Sequence, residues 1–313
     1  MDFLEKFDKQ KLQKITLIVI AALTLLALVL LLVIIISSVE ESSDIGGIFG
    51  NDDISIEFED LIVEDSHLNK GSLVLINNDH QYTIPADLNL ILISEYRNAN
   101  SSNGEIPYSV YDKFNMKLEA TATEHAHKML SDMGKATNND DIMITSAFRT
   151  HDEQASASKT IAAGYSDHHS GMLISIKATN GPLAEENLKW LDQNAHKYGF
   201  VVRYPEDKTE ITGVSDYTQA YRYVGTAHAK YMKDNNLCLE EYVAYLKENT
   251  AHDNYLTVTL DNGAVCHVYY AKAVAGDTIQ VPVKAANPDG SMNFDYVISG
   301  TNDGGVVVTV KAK

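Results

Sequence analysis

Side chains with the capacity for chemistry are concentrated near the middle of the chain. Arg149 carries a planar guanidinium fork that suits a carboxylate or a polarised carbonyl, and Gln154 and Ser166 can add hydrogen bonds. His168 offers an imidazole nitrogen of the kind that binds metal ions. The alternative is that these residues only satisfy the fold, with Arg149 paired to an internal acid, because buried polar groups need partners in any case.

A second place for a metal is suggested by the 11 histidines of the chain. Glu124 and His127 stand three residues apart in a helical pattern, with His125 beside them, and this spacing can place two donors on one helix face. No third ligand is indicated, so a solvated helix face is the expected arrangement. His169 follows His168 directly, and in an extended segment neighbouring side chains point to opposite faces.

The elements that must position these residues are helices and short strands in mixed order. A β-prone run at 73–76 precedes an amphipathic stretch at 113–133 and a strand pattern at 142–145. Helical patterns follow at 183–198 and 239–246. Because helices and strands do not alternate strictly, the sequence predicts an α+β domain.

After about residue 252 the composition shifts to β-forming residues. The runs 255–260 and 264–270 are joined by Asp261-Asn262-Gly263, which is a hairpin signal, and 296–298 and 306–308 form a similar pair. These runs predict a small all-β domain. Nothing in it suggests chemistry.

The charge and cysteine content exclude some functions. The formal net charge of -18 argues against nucleic acid as a partner, because binding a phosphate backbone needs clustered Lys and Arg. Two cysteines, Cys238 and Cys266, cannot form a disulfide framework or a four-ligand zinc site. Whether the two pair with each other stays open at this point.

The N-terminal region predicts a membrane anchor. Residues 15–36 are an unbroken apolar run that is long enough to span the hydrocarbon core of roughly 30 Å. Four lysines precede the run and three acidic residues follow it, which places the N-terminus in the cytoplasm and the rest outside. A cleaved signal peptide is the competing interpretation, but the run is too long and lacks an Ala-x-Ala site.

Several short phrases of the middle region occur in an order that is typical of one enzyme family. They are Leu75-Ile76-Asn77, Ser146-Ala147-Phe148-Arg149-Thr150, Ser166-Asp167-His168-His169-Ser170-Gly171, Arg203-Tyr204-Pro205, Arg222-Tyr223-Val224-Gly225 and Leu239-Glu240-Glu241-Tyr242. Over about residues 73 to 246 the chain resembles the VanY-type D-alanyl-D-alanine carboxypeptidases. These are zinc peptidases that remove D-alanine from peptidoglycan stem peptides.

The resemblance implies a zinc site from which residues are missing here. The family motif Ser-x-His-x-x-Gly-x-x-x-Asp matches at Ser166, His168 and Gly171, but Ser175 stands in place of the Asp ligand. In the family's Glu-x-x-His motif, the general base and the third ligand correspond to Tyr217 and Ala220. His168 is then the one retained ligand, and no zinc is expected because one imidazole cannot fix the ion.

The charge, hydropathy and composition patterns, together with the resemblance, predict five parts of the chain: a cytoplasmic tail at 1–14, a transmembrane helix at 15–36, an acidic stalk at 37–69, a VanY-like domain at 70–251 and the small β-domain at 252–313.

The predicted function is that of an inactive pseudopeptidase at the outer face of the cell membrane. It binds a peptidoglycan stem peptide or a cell-wall protein through Arg149, Gln154 and Ser166. Two alternatives remain: an active D,D-carboxypeptidase with a rearranged metal site, for which Asp216 beside Tyr217 is a substitute base, and a purely structural protein of cell-wall assembly.

Overall fold

The computed structural model describes residues 56–101, 106–158, 160–215, 217, 219–283 and 294–312. The predicted tail, the predicted transmembrane helix and the stalk up to residue 55 lie outside these residues. Within the described ranges, no helix is both long enough and apolar enough to cross a bilayer.

The described residues from 57 onward form one compact unit that combines helices with sheets. The helices are α1 (Asp65–Leu68), α2 (Ile93–Asn100), α3 (Ala120–Thr137), α4 (His151–Ala157), α5 (Glu185–Asn194), α6 (Thr209–Thr212), α7 (Thr226–Asp234) and α8 (Leu239–Asn249). Short 3-10 helices lie at Asp167–Ser170, Ala195–Tyr198 and Glu206–Lys208. The strands are β1 (Phe58–Ile62), β2 (Leu90–Leu92), β3 (Ser109–Val110), β4 (Lys117–Glu119), β5 (Met143–Ser146), β6 (Leu173–Lys177), β7 (Phe200–Val202), β8 (Ala220–Tyr223), β9 (Leu256–Thr259), β10 (Val265–Lys272), β11 (Thr278–Pro282), β12 (Phe294–Gly300) and β13 (Gly305–Ala312).

A five-stranded sheet with the order β3-β5-β6-β8-β7 forms the centre of the family-like region. Alternate residues of its strands, such as Ile174, Ile176 and Tyr221, face a core that also contains Met129 of α3 and Leu191 of α5. Because side chains alternate along a strand, Ser175 and Ala220 face the opposite side. The helices therefore cover one face of the sheet, and the candidate site lies on the other.

Helix α3 begins and ends where the sequence provides caps. The Glu119 carboxylate accepts hydrogen bonds from the backbone N–H groups of Thr121 and Ala122, and Asn138 takes a left-handed conformation at the other end. The sequence pattern placed the start of this helix at residue 113. Residues 117–119 instead form β4, because they pair with β2.

The predicted C-terminal β-region is confirmed as an additional sheet, with the order β12-β13-β10-β9. Its Val268, Tyr270 and Val307 pack in one core with Tyr242 and Leu246 of α8. The boundary predicted at residue 252 therefore does not separate two hydrophobic cores.

Two other segments differ from the sequence expectations. The predicted stalk extends to residue 69, whereas Phe58–Ile62 pairs antiparallel with β11 and α1 follows it. This segment folds although it is acidic, because apolar residues such as Phe58 and Leu61 are interspersed in it and Val63 is buried.

The run 73–76 is buried in the core without forming a strand, and the Leu75 N–H donates to the Thr301 carbonyl. Cys238 and Cys266 are both buried and unpaired.

Candidate functional site

Three adjacent strands of the central sheet place Ser146, Ser175 and Ala220 in one row across the sheet. Ser146 of β5 lies opposite Ser175 of β6, and Ser175 lies opposite Ala220 of β8. Directly opposed residues on one face of a sheet have Cβ atoms roughly 5 Å apart. Two positions that the family motifs assign to metal ligands are therefore neighbours, although 45 residues separate them in the sequence.

His168 completes this group from the 3-10 helix that leads into β6. Its Nε2 atom lies 3.4 Å from the Ser146 hydroxyl and 3.4 Å from the Tyr217 hydroxyl. Gly171 ends the 3-10 helix with a φ of 69°, and a Cβ there would lie 3.0 Å from Leu90. Burial, reinforced by the Arg149 guanidinium, lowers the pKa of His168 to about 3, so its imidazole is neutral.

Tyr217 fills the space between the family's ligand positions. Its hydroxyl shares a hydrogen bond of 2.6 Å with the Ser175 hydroxyl, and its ring packs near Tyr204 with centroids 5.8 Å apart. Ala220 is fully buried in the same apolar cluster, together with Leu173. A phenol, a serine hydroxyl and a methyl group thus surround the one imidazole.

These residues do not fit a zinc ion. Structural and catalytic zinc sites use at least three ligands drawn from thiolates, imidazoles and carboxylates. No group of three His, Cys, Asp or Glu side chains that could hold a metal occurs among the residues the structure describes. Asp216, the substitute base of the active alternative, lies outside the described residues.

Arg149 lies at the edge of this group and is held by neutral partners. One of its terminal nitrogens donates to the Gln154 amide oxygen at 3.0 Å and the other to the Ser146 hydroxyl at 2.6 Å. In the described part of the chain, Arg149 has no ion pair with an acidic side chain. The internal acid that the scaffold alternative requires is therefore absent from these residues.

The cleft in front of Arg149 has a volume of about 350 Å³. Its lining residues are Thr145, Ser146, Arg149, Ser175, Ile176, Lys177, Tyr217 and Gln219.

Gln154 and Ser166, two of the predicted ligand-binding residues, do not line this cleft. Gln154 is buried and uses its amide nitrogen on the Ile161 carbonyl at 3.0 Å. Ser166 is buried at the start of the 3-10 helix, where its carbonyl accepts the N–H of His169. Gln154 therefore acts on the cleft indirectly, by holding Arg149.

A buried ion network behind the site was missed by the sequence reasoning. The Asp167 carboxylate, next to His168, accepts hydrogen bonds from Arg203 Nε and from Arg222. Arg203 also donates to Glu240 of α8 at 2.7 and 3.0 Å. The signal was available, because these residues stand in the family phrases, but their pairing depends on the fold.

The other histidines near these positions do not supply a replacement ligand. His169 donates from Nδ1 to the Arg149 carbonyl at 2.8 Å and accepts from the Gly164 N–H at Nε2, so both nitrogens are used. His127 contacts the Tyr108 hydroxyl at 3.4 Å, and Glu124 is exposed.

Lys177 and Gln219 are lining residues that had no role in the sequence reasoning. The strand period could have found Lys177, because it lies two residues after Ser175 and so faces the same side.

Comparisons with known proteins agree on one family. The family model described as VanY, D-alanyl-D-alanine carboxypeptidase, matches residues 115–226. A D-alanyl-D-alanine carboxypeptidase of Enterococcus faecium is 31% identical over 271 residues, which are 83% of this chain and 82% of that relative.

Among solved structures, the vancomycin-resistance D,D-dipeptidase VanXYg, in complex with a D-Ala-D-Ala phosphinate analogue, matches with a TM-score of 0.64 and 22% identity. The match covers 82% of this chain and 99% of that one, and it shows a shared fold. A point mutant of a vancomycin-resistance D,D-pentapeptidase VanY, in complex with Zn(II), is 29% identical with a TM-score of 0.40. That match covers 55% of this chain and 98% of the other.

Proposed function

This chain belongs to the VanY-type D-alanyl-D-alanine carboxypeptidase family, and from that premise we propose that it binds a peptidoglycan stem peptide without hydrolysing it. Two features of the cleft together carry the proposal. Arg149 lines the cleft and is held by neutral groups, and the Tyr217 hydroxyl occupies the family's metal position.

The absence of hydrolysis follows from the donor set. Family chemistry needs a metal that polarises the carbonyl and lowers the pKa of its bound water. Ser175 and Ala220 provide no anionic or imidazole ligand, and Tyr217 provides no carboxylate base. With His168 alone, neither the metal nor the proton acceptor is in place.

Peptide binding is supported by Arg149. A guanidinium of which two terminal nitrogens are oriented by Gln154 and Ser146 has less side-chain entropy to lose when a ligand arrives. Charge-assisted hydrogen bonds to a carboxylate are roughly twice as strong as neutral ones. A peptide that ends in a free carboxylate therefore suits the cleft.

The place of action is proposed from the sequence alone. The apolar run 15–36 with its flanking charges favours a single-pass anchor that displays the rest of the chain outside the cell. A stem peptide of the wall, or a wall-associated protein that carries a similar end, would then be within reach.

Calorimetry of the full chain with a stem pentapeptide that ends in D-Ala-D-Ala tests the proposal. We expect measurable binding to the wild type and an affinity at least about tenfold lower for Arg149→Ala, because hydrogen bonds to charged groups contribute about 1.5–3 kcal/mol. Arg149→Lys is the matched control, since it keeps the charge without the fork and should retain part of the affinity.

Negligible heat with both the wild type and Arg149→Ala would contradict peptide binding. It would favour the alternative of a purely structural role in cell-wall assembly.

A further inference from the structure

A second positively charged side chain lines the cleft together with Arg149. Lys177 is the last residue of β6, and it lies on the same face as Ser175 because side chains alternate along a strand. Its side chain is exposed and lines the cleft together with Arg149.

No acidic residue lines the cleft within the described ranges, so the two cations are not balanced by a described neighbour. Lys177 has no ion-pair partner there, whereas Lys208 and Lys233, for example, are each paired with a carboxylate. In a chain with a net charge of -18, a cleft whose described lining holds two cations and no acid favours an anionic ligand.

Strand register places the two cations in the same part of the sheet. Ser175 and Lys177 are two residues apart on one strand, so their Cα atoms are roughly 6.6 Å apart. The Arg149 guanidinium is bonded to the Ser146 hydroxyl, and Ser146 is the residue opposite Ser175. Both charges are thus within reach of a single peptide end.

From this arrangement we infer that, among stem peptides, the site prefers those with a second carboxylate on the residue before the terminal D-alanine, and that Lys177 selects for it. The inference rests on the proposed function, in which Arg149 takes the terminal carboxylate. Lys177 is then a specificity-determining residue: it adds affinity for a dicarboxylate peptide end and none for the corresponding amide.

Two synthetic peptides test the inference. They are identical and end in D-alanine, and they differ only at the penultimate residue, which is D-glutamate in one and D-glutamine in the other. By calorimetry, the full-length wild type should bind the glutamate peptide about three- to fivefold more tightly, the range expected of an exposed ion pair.

The variant Lys177→Gln should lose this preference and bind the glutamine peptide as the wild type does. Lys272→Gln is the matched control, because Lys272 is an exposed lysine at the end of β10 and does not line the cleft. It should keep the preference.

Equal affinity of the wild type for both peptides, or a preference that survives in Lys177→Gln, would overturn the role of Lys177 while the proposed function stands. Failure of the wild type to bind either peptide would overturn this inference alone if the pentapeptide that ends in D-Ala-D-Ala still binds, and it would overturn both if that pentapeptide fails as well.

Discussion

The residues at the family's metal position are compatible with one another in the absence of a metal. In the family's site, the two positive charges of the zinc ion are balanced by the carboxylates of the Asp ligand and the Glu base. Here Ser175 and Tyr217 replace both carboxylates with hydroxyl groups. The pKa of His168, lowered to about 3 by its burial and by Arg149, keeps the remaining imidazole neutral as well. Among the described residues that line the cleft, the charged side chains are therefore Arg149 and Lys177.

The hydrogen bond between Tyr217 and Ser175 should contribute measurably to stability. Tyr217→Phe removes one partner of a 2.6 Å bond and leaves the buried Ser175 hydroxyl without it, at a cost of about 1–2 kcal/mol. The control is the cycle with Ser175→Ala, because the double variant should be less destabilised than the sum of the single ones by about 1 kcal/mol. Urea unfolding measures all four proteins, and strict additivity would show that the bond is not made.

At the residue scale, the sequence and the family motifs singled out Arg149, His168, Ser175, Tyr217 and Ala220, and the structure brings these residues together in one candidate site. The sequence could not show how each side chain is used. The Gln154 amide makes its hydrogen bonds inside the protein, because its oxygen accepts from Arg149 and its nitrogen donates to the Ile161 carbonyl. Such contacts depend on the folded backbone.

At the scale of elements, the site is a product of strand register. Residues of β5, β6 and β8 meet because these strands are adjacent in the sheet, although β7 lies between β6 and β8 in the sequence. The patterns predicted the strand near 142–145 and the helix near 239–246 within a few residues. The start of α3 was wrong because pairing with β2 overrides helical periodicity at 117–119.

The contact between α7, α8 and the C-terminal sheet predicts a specific pH dependence. Buried His228 shares hydrogen bonds with Tyr242 at 2.8 Å and Thr309 at 2.9 Å. Burial, with a smaller effect of Lys311, lowers its pKa from 6.5 to about 3. The unfolded chain therefore binds a proton that the folded chain does not, and the stability present above pH 6.5 is lost as the pH falls toward 3.

His228→Gln should accordingly reduce the slope of the unfolding free energy against pH. The expected reduction is up to about 1.4 kcal/mol per pH unit between pH 6.5 and about 3, which corresponds to one proton. Chemical unfolding at a series of pH values measures it, with His252→Gln as the exposed control. An unchanged slope in His228→Gln would mean that His228 takes up its proton equally in the folded and unfolded chains, and it would contradict the lowered pKa.

At the scale of the whole molecule, the α+β class and the added β-sheet were predictable from periodicity and composition. The shared core of that sheet with α8 was not, because hydrophobic residues do not reveal in the sequence which surface they will cover. The anchor at 15–36 stays a prediction from length and flanking charge.

The central claim is that this family member binds peptide without hydrolysing it. The most direct measurement is D-alanine release from a stem pentapeptide by the full chain after equilibration with zinc, at peptide concentrations that saturate binding in calorimetry. We predict no release above a protein-free blank and less than one bound zinc per chain. Sustained release together with stoichiometric zinc would contradict the account.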